Sequence, residues 1–96
     1  MKDKTVTSSG DVFKDLGFPP EVAEKLNIKS QLMLEVRRYI EKNKLTQERA
    51  AEIMGVKRTR ISDATRGKIE KFTIDALIDM LSKAGKHFIV KVKTAA

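Results

Sequence analysis

The chain has 96 residues, with 20 Lys and Arg against 13 Asp and Glu for a formal charge of +7, no cysteine and one histidine. That length holds one hydrophobic core, and the lack of cysteine excludes disulfides, thiolate chemistry and cysteine-ligated zinc. The longest apolar runs are three residues, as at Leu32-Met33-Leu34, too short for a membrane span or a signal peptide, and a pI near 9.8 points to an anionic partner, nucleic acid before a membrane surface. A cytoplasmic protein is expected.

Residues 1–9 carry no apolar periodicity and read as an arm. Residues 10–20 mix Val12, Phe13, Leu16 and Phe18 with Gly and Pro, which predicts a non-helical strap docked through those side chains; together, residues 1–19 form the arm and strap. Pro20 suits a first helical turn, where its missing N–H is unpaired anyway. Residues 21–43 then fit one helix with Ala23, Leu26, Met33, Val36 and Ile40 on its inner face, leaving room for a break at 27–30. Asn43 is the expected left-handed stop, and Thr46 caps a short helix over 47–54 that Gly55 ends. Val56 leads into a third helix over 58–66, ended by Gly67. Thr73 caps a fourth, with Ile74, Leu77, Ile78 and Leu81 at i, i+3, i+4 and i+7 and Gly85 beyond its end. Residues 20–86 are thus one helical domain.

From His87 to Lys93 the alternation changes to period two, with Phe88, Val90 and Val92 on one face, which predicts a strand. A lone strand leaves its backbone groups unpaired, and residues 5–7 and 11–13 are only weakly strand-like. The expected partner is the same strand of a second copy, paired antiparallel across a two-fold axis in a homodimer. Residues 87–96 form this strand and tail.

Within residues 46–67, counting Gln47 as the first position, Ala51 stands fifth, Gly55 ninth, Val56 tenth and Ile61 fifteenth. A helix-turn-helix needs a small residue where its helices cross, a residue tolerant of positive φ in the turn, and apolar residues at the last two places. All four are present.

Leu45 through Val56, followed by Ile61-Ser62 and Arg66-Gly67, resembles the XRE family of helix-turn-helix proteins, relatives of phage Cro and repressor domains. The flanking segments Ser9 through Phe13, Leu16-Gly17-Phe18, Lys29 through Leu32 and Phe72 through Asp75 resemble the HigA-like antitoxins within it. Ala64 departs from the family by replacing a large apolar residue, a space for Phe72 or Ile69 to fill, and Lys57 stands where Ser or Thr usually caps the recognition helix. The resemblance implies an all-α, lambda-repressor-like bundle of four to five helices, to which the alternation of residues 87–93 adds a short C-terminal β-strand expected to pair across a dimer.

It also implies a transcriptional repressor that binds double-stranded DNA at a near-palindromic operator, in an antitoxin that neutralises a RelE/HigB-like toxin; a stand-alone regulator without a toxin is the alternative. In this pattern the third helix enters the major groove, which assigns base readout to Arg58, Thr59, Ser62 and Asp63. An arginine fork matches guanine O6 and N7, Asp63 can accept from cytosine N4, and Thr59 can touch a thymine methyl. Asp63 also lies three residues from both Arg60 and Arg66, so an intrahelical pair competes with base contact. Phosphate contacts fall to Gln47, Lys57, Arg60, Arg66, Lys68 and Lys71. Residues 57–71 hold six basic residues against two acidic, a net +4 of the chain's +7.

Catalysis finds no support in the sequence, which has no phosphate-cradling loop and no Ser/His/Asp set. No cofactor is expected, and His87, without a second His or any Cys, makes no metal site. Asp75 and Asp79 read as helix-dipole and solubility residues, Phe13 and Phe18 as strap or core contacts rather than a partner surface. The Phe residues and Tyr39 are needed in the core, which leaves few aromatic platforms for RNA bases.

Overall fold

In a computed structural model that describes residues 12–94, those residues form five α-helices and one 3-10 turn: α1 (Val12–Asp15), α2 (Pro20–Lys42), α3 (Gln47–Met54), α4 (Arg58–Thr65), the turn Ile69–Lys71, and α5 (Ile74–Lys83). The arm at residues 1–9, the stretch 5–7, and residues 10, 11, 95 and 96 lie outside the described residues. α2 is the spine. Pro20 opens it, and the Pro19 carbonyl accepts the N–H groups of Val22 and Ala23 at 3.0 and 2.8 Å. With no Gly or Pro inside it, α2 runs 23 residues without a break at 27–30.

The core lies between α2 and α5, closed at one end by α3 and α4. It consists of Met33, Val36 and Ile40 from α2, Ala50, Ala51 and Met54 from α3, Ile61 and Ala64 from α4, Phe72, and Leu77, Met80 and Leu81 from α5. Phe72 is buried beside Ala64, and Ile69 packs against the same cluster from the 3-10 turn. On α5, Ile74 and Ile78 are only half-buried, and Met80 takes a place in the core beside Leu77 and Leu81. No polar or charged side chain is buried among the described residues. No helix among them is long and apolar enough to cross a membrane.

The strap expectation is corrected at residues 12–15, which make a turn of helix. The Leu16 N–H donates to the Val12 carbonyl at 3.0 Å, and Gly17, at φ +93°, turns the chain so that the Phe18 N–H reaches the Phe13 carbonyl at 3.1 Å. This brings the two rings edge to face, 6.2 Å apart. Phe13 is half-buried, whereas Val12, Leu16 and Phe18 stay exposed instead of docking. The local turn satisfies the backbone without carrying those side chains to the core.

α2 to α5 end in the same way. At the end of α2, Leu45 N–H donates to the Ile40 carbonyl and Lys44 N–H to that of Glu41, at 3.0 and 3.2 Å, the paired closure of a Schellman motif. α3, α4 and α5 repeat it with Gly55, Gly67 and Gly85 as the left-handed residue. The expected stop at Asn43 is corrected here: Asn43 stays at φ −94°, and Lys44 takes φ +53°. Its cause is the Asn43 side-chain amide, which donates back to the Tyr39 carbonyl at 2.8 Å and holds Asn43 near helical geometry. The reversal passes to the next residue.

The C-terminal strand is corrected as well. Beyond Lys86 the chain runs extended without entering a ladder, because no other described segment offers an edge to pair with and residues 12–13 are helical. Phe88 and Ile89 border a groove with Leu32 and Leu34 of α2, and Val90 and Val92 border one with Glu24 and Ile28. Ile89, Val90 and Val92 are 90%, 82% and 91% exposed.

Lys44 adopts a conformation that costs a β-carbon of order 1 kcal/mol or more, partly offset by the greater unfolded-state entropy of glycine. The Lys44→Gly variant is expected to gain about 0.5–1 kcal/mol, raising the melting temperature by roughly 2–6 °C. A thermal melt followed by circular dichroism checks the shift.

Candidate nucleic-acid interface

The interface is built outward from the crossing of α3 and α4. Thr46 caps α3, its hydroxyl accepting the Arg49 N–H at 3.1 Å. Ala51 is buried at the crossing, Gly55 reverses the chain at φ +70°, Val56 is half-buried, and Ile61 is fully buried. A β-carbon at Gly55 would stand 2.8 Å from Lys83 Nζ, the end of an exposed, flexible side chain that can move aside, so the turn's demand for glycine is conformational. Lys57 precedes α4 in extended geometry without a side-chain cap.

Because Ile61 and Ala64 point into the core, the opposite side of α4 is turned outward. Arg58, Thr59 and Arg66 are exposed, whereas Ser62 and Asp63 are half-buried at its edges. The Asp63 carboxylate takes neither intrahelical arginine. It meets Lys68 Nζ at 3.9 Å, because the turn at Gly67 folds Lys68 back over α4. Ser62 uses its carbonyl to accept the Thr65 hydroxyl at 2.9 Å.

Arg58 opens α4 and reaches the start of α3. Its Nη1 lies 3.4 Å from Gln47 Oε1, and its Nε lies 3.9 Å from Glu48 Oε2. Exposed Glu48 and Arg58 and half-buried Gln47 therefore form one constellation at the joint N-terminal end of both helices, where free backbone N–H groups favour an anion. Sequence reasoning assigned DNA contacts to Gln47 and Arg58 but none to Glu48. Its ten-residue separation from Arg58 carries no periodic signal, so only the crossing reveals the pair.

Lys57, Arg66 and Lys71 are exposed, and no ion pair engages these three side chains among the described residues. Arg60, which the sequence assigns to phosphate contact, is half-buried. Its Nη1 donates to the Lys71 carbonyl at 2.8 Å, and its guanidinium lies 4.8 Å from the centroid of the Phe72 ring. A carbonyl bond and a cation–π contact together tie α4 to the segment that carries Lys68 and Lys71. No group of His, Cys, Asp and Glu among the described residues is arranged to hold a metal ion.

Arg60→Ala is expected to cost about 1–2 kcal/mol through loss of the charged hydrogen bond and the ring contact. This lowers the melting temperature by roughly 4–12 °C for a domain of this size, an effect readable by thermal melting without any ligand.

Comparison with curated proteins finds no match. A family model described as a helix-turn-helix domain matches residues 12–93, which takes in α1 to α5 and most of the extended tail. The chain belongs to this helix-turn-helix domain family, and that membership implies a protein that binds double-stranded DNA.

Proposed function

We propose that the protein is a sequence-specific transcriptional repressor acting in the cytoplasm as a homodimer, and that it is the antitoxin of a type II toxin–antitoxin pair whose operon it represses. The observation that carries the DNA-binding part is the outward face of α4 at the joint N-terminal end of α3 and α4, within a segment of net charge +4. The antitoxin part is supported by the resemblance of the flanking segments to HigA-like proteins, which makes a RelE/HigB-like toxin the partner. A regulator without a toxin is the alternative.

In this reading residues 20–86 are the DNA-binding domain, with its helix-turn-helix at 46–67, and residues 1–19 and 87–96 are its appendages. α4 lies in the major groove. Arg58, Thr59, Ser62 and Asp63 face base edges, with Arg58 the guanine reader. Gln47, Lys57, Arg66, Lys68 and Lys71 meet phosphates, while Arg60 supports them from behind.

Each subunit places one α4 in one half-site, with half-site centres about 34 Å apart on a near-palindromic operator. The exposed tail supports the dimer: Phe88, Val90 and Val92 from two copies would line one face of an antiparallel pair, burying residues the isolated chain leaves in water. Deleting residues 87–96 is expected to convert a dimer to a monomer in sedimentation. A truncated chain that still sediments as a dimer refutes pairing through the tail.

Co-expression with the product of the adjacent gene, followed by affinity purification and a mobility shift on the upstream DNA, tests the function. Co-purification with a shift is expected. A shift without a protein partner selects the stand-alone regulator, and a partner without a shift refutes repression. The affinity should fall steeply with salt, because each neutralised phosphate releases counterions. Arg58→Ala should flatten sequence preference, whereas Lys68→Ala should weaken all sequences alike and reduce the salt slope by about one.

A further inference from the structure

Beyond the residues that touch DNA in the proposed function, and resting on that reading, we propose that Glu48 sets base specificity by positioning the Arg58 guanidinium. Glu48 lies in the first turn of α3, which by itself explains a carboxylate there. What the helix dipole does not explain is its direction. The carboxylate is turned across the motif to Arg58 Nε at 3.9 Å, while the neighbouring Gln47 meets Nη1 of the same side chain at 3.4 Å.

Two adjacent residues of α3 thus approach the guanidinium from one side, Gln47 Oε1 accepting from Nη1 and the Glu48 carboxylate in a longer ion-pair contact with Nε. An arginine reads guanine only when its planar fork lies in the plane of the base, with two N–H groups aimed at O6 and N7. A free arginine side chain samples many rotamers and meets a phosphate as readily as a base. Holding Nε and Nη1 against α3 restricts the plane of the fork and the direction in which Nη2 points.

Charge supports the same assignment. Glu48 is the acidic residue nearest the readout arginine, and its side chain is 72% exposed. A carboxylate facing DNA repels phosphate and is a cost to any protein that needs only affinity. Here the carboxylate neutralises Arg58 toward phosphates and leaves its hydrogen-bond geometry for the groove. An exposed pair at this distance contributes little to folding, so its effect should be read in DNA selection and not in stability. Glu48 is a positioning residue acting through Arg58.

The test is selection from a randomised duplex pool, with sequencing of the bound fraction, for the full chain and for Glu48→Gln, Arg58→Ala and the double variant. Arg58→Ala is expected to erase a guanine preference at one position of each half-site. Glu48→Gln should reduce discrimination at that same position about tenfold, while raising affinity for random-sequence duplex several-fold and lowering the melting temperature only by the few degrees that loss of a first-turn carboxylate costs. The double variant should match Arg58→Ala. A Glu48→Gln profile like that of the unaltered chain, or a change at a position that Arg58→Ala leaves intact, overturns the proposal. If the unaltered chain enriches no sequence, the DNA-binding function itself fails, and the role of Glu48 with it.

Discussion

The crossing of α3 over α4 is the constraint on which the rest of the molecule depends. Ala51 lets the helices approach, Gly55 reverses the chain in left-handed geometry, and Val56 anchors the turn on the core. Burial of Ile61 and Ala64, three residues apart, then sets the rotation of α4 about its own axis. Since successive side chains are about 100° apart around a helix, that rotation decides which residues face outward. Thr59 is exposed because Ile61 and Ala64 are buried, whereas Arg58 is exposed because it stands at the N-terminal end of α4. A core substitution that turned α4 by one position would replace the outward face without touching any residue on it.

Charge is arranged on this frame in two ways. Arg60 and Lys68 hold the motif to the segment that follows it, Arg60 through the Lys71 carbonyl and the Phe72 ring, Lys68 through Asp63. Lys57, Arg66 and Lys71 stay open to solvent. A basic stretch that reads as uniform in sequence therefore divides into side chains with a partner in the fold and side chains without one among the described residues. The division follows from Gly67, whose left-handed turn sends the chain back along α4 and brings a carbonyl and an aromatic ring within reach of Arg60. Arg58 is a third case, engaged by α3 but exposed enough to meet a ligand.

The helical body and the tail differ in how they satisfy the backbone. Helices close their hydrogen bonds within themselves, and the end of each of α2 to α5 is sealed by its own Schellman closure. An extended segment directs its N–H and C=O groups sideways and needs a second strand. Residues 87–94 have none among the described residues and lie along α2 with three of their apolar side chains almost wholly in water. This asymmetry explains why a period-two pattern as regular as that of residues 87–93 yields no strand in one chain.

The sequence by itself determined what local chemistry controls. Thr46 and Thr73 cap α3 and α5 through their hydroxyls, Gly55, Gly67 and Gly85 close three helices, and the spacing of Leu77 and Leu81 marks the buried side of α5. These features depend on residues within a few positions of one another, where helical period and left-handed propensity act directly. Tertiary structure decided the rest. Whether Asn43 or Lys44 reversed the chain depended on where the Asn43 amide found an acceptor. Whether residues 12–15 docked depended on the turn at Gly17. Arg60 meeting Lys71, Asp63 meeting Lys68, and Arg58 meeting Gln47 and Glu48 all depended on the path of an intervening turn. Periodicity names the face of a helix on which a side chain stands, but the partner waiting there is set by how two helices cross, and that angle is a property of the packed core.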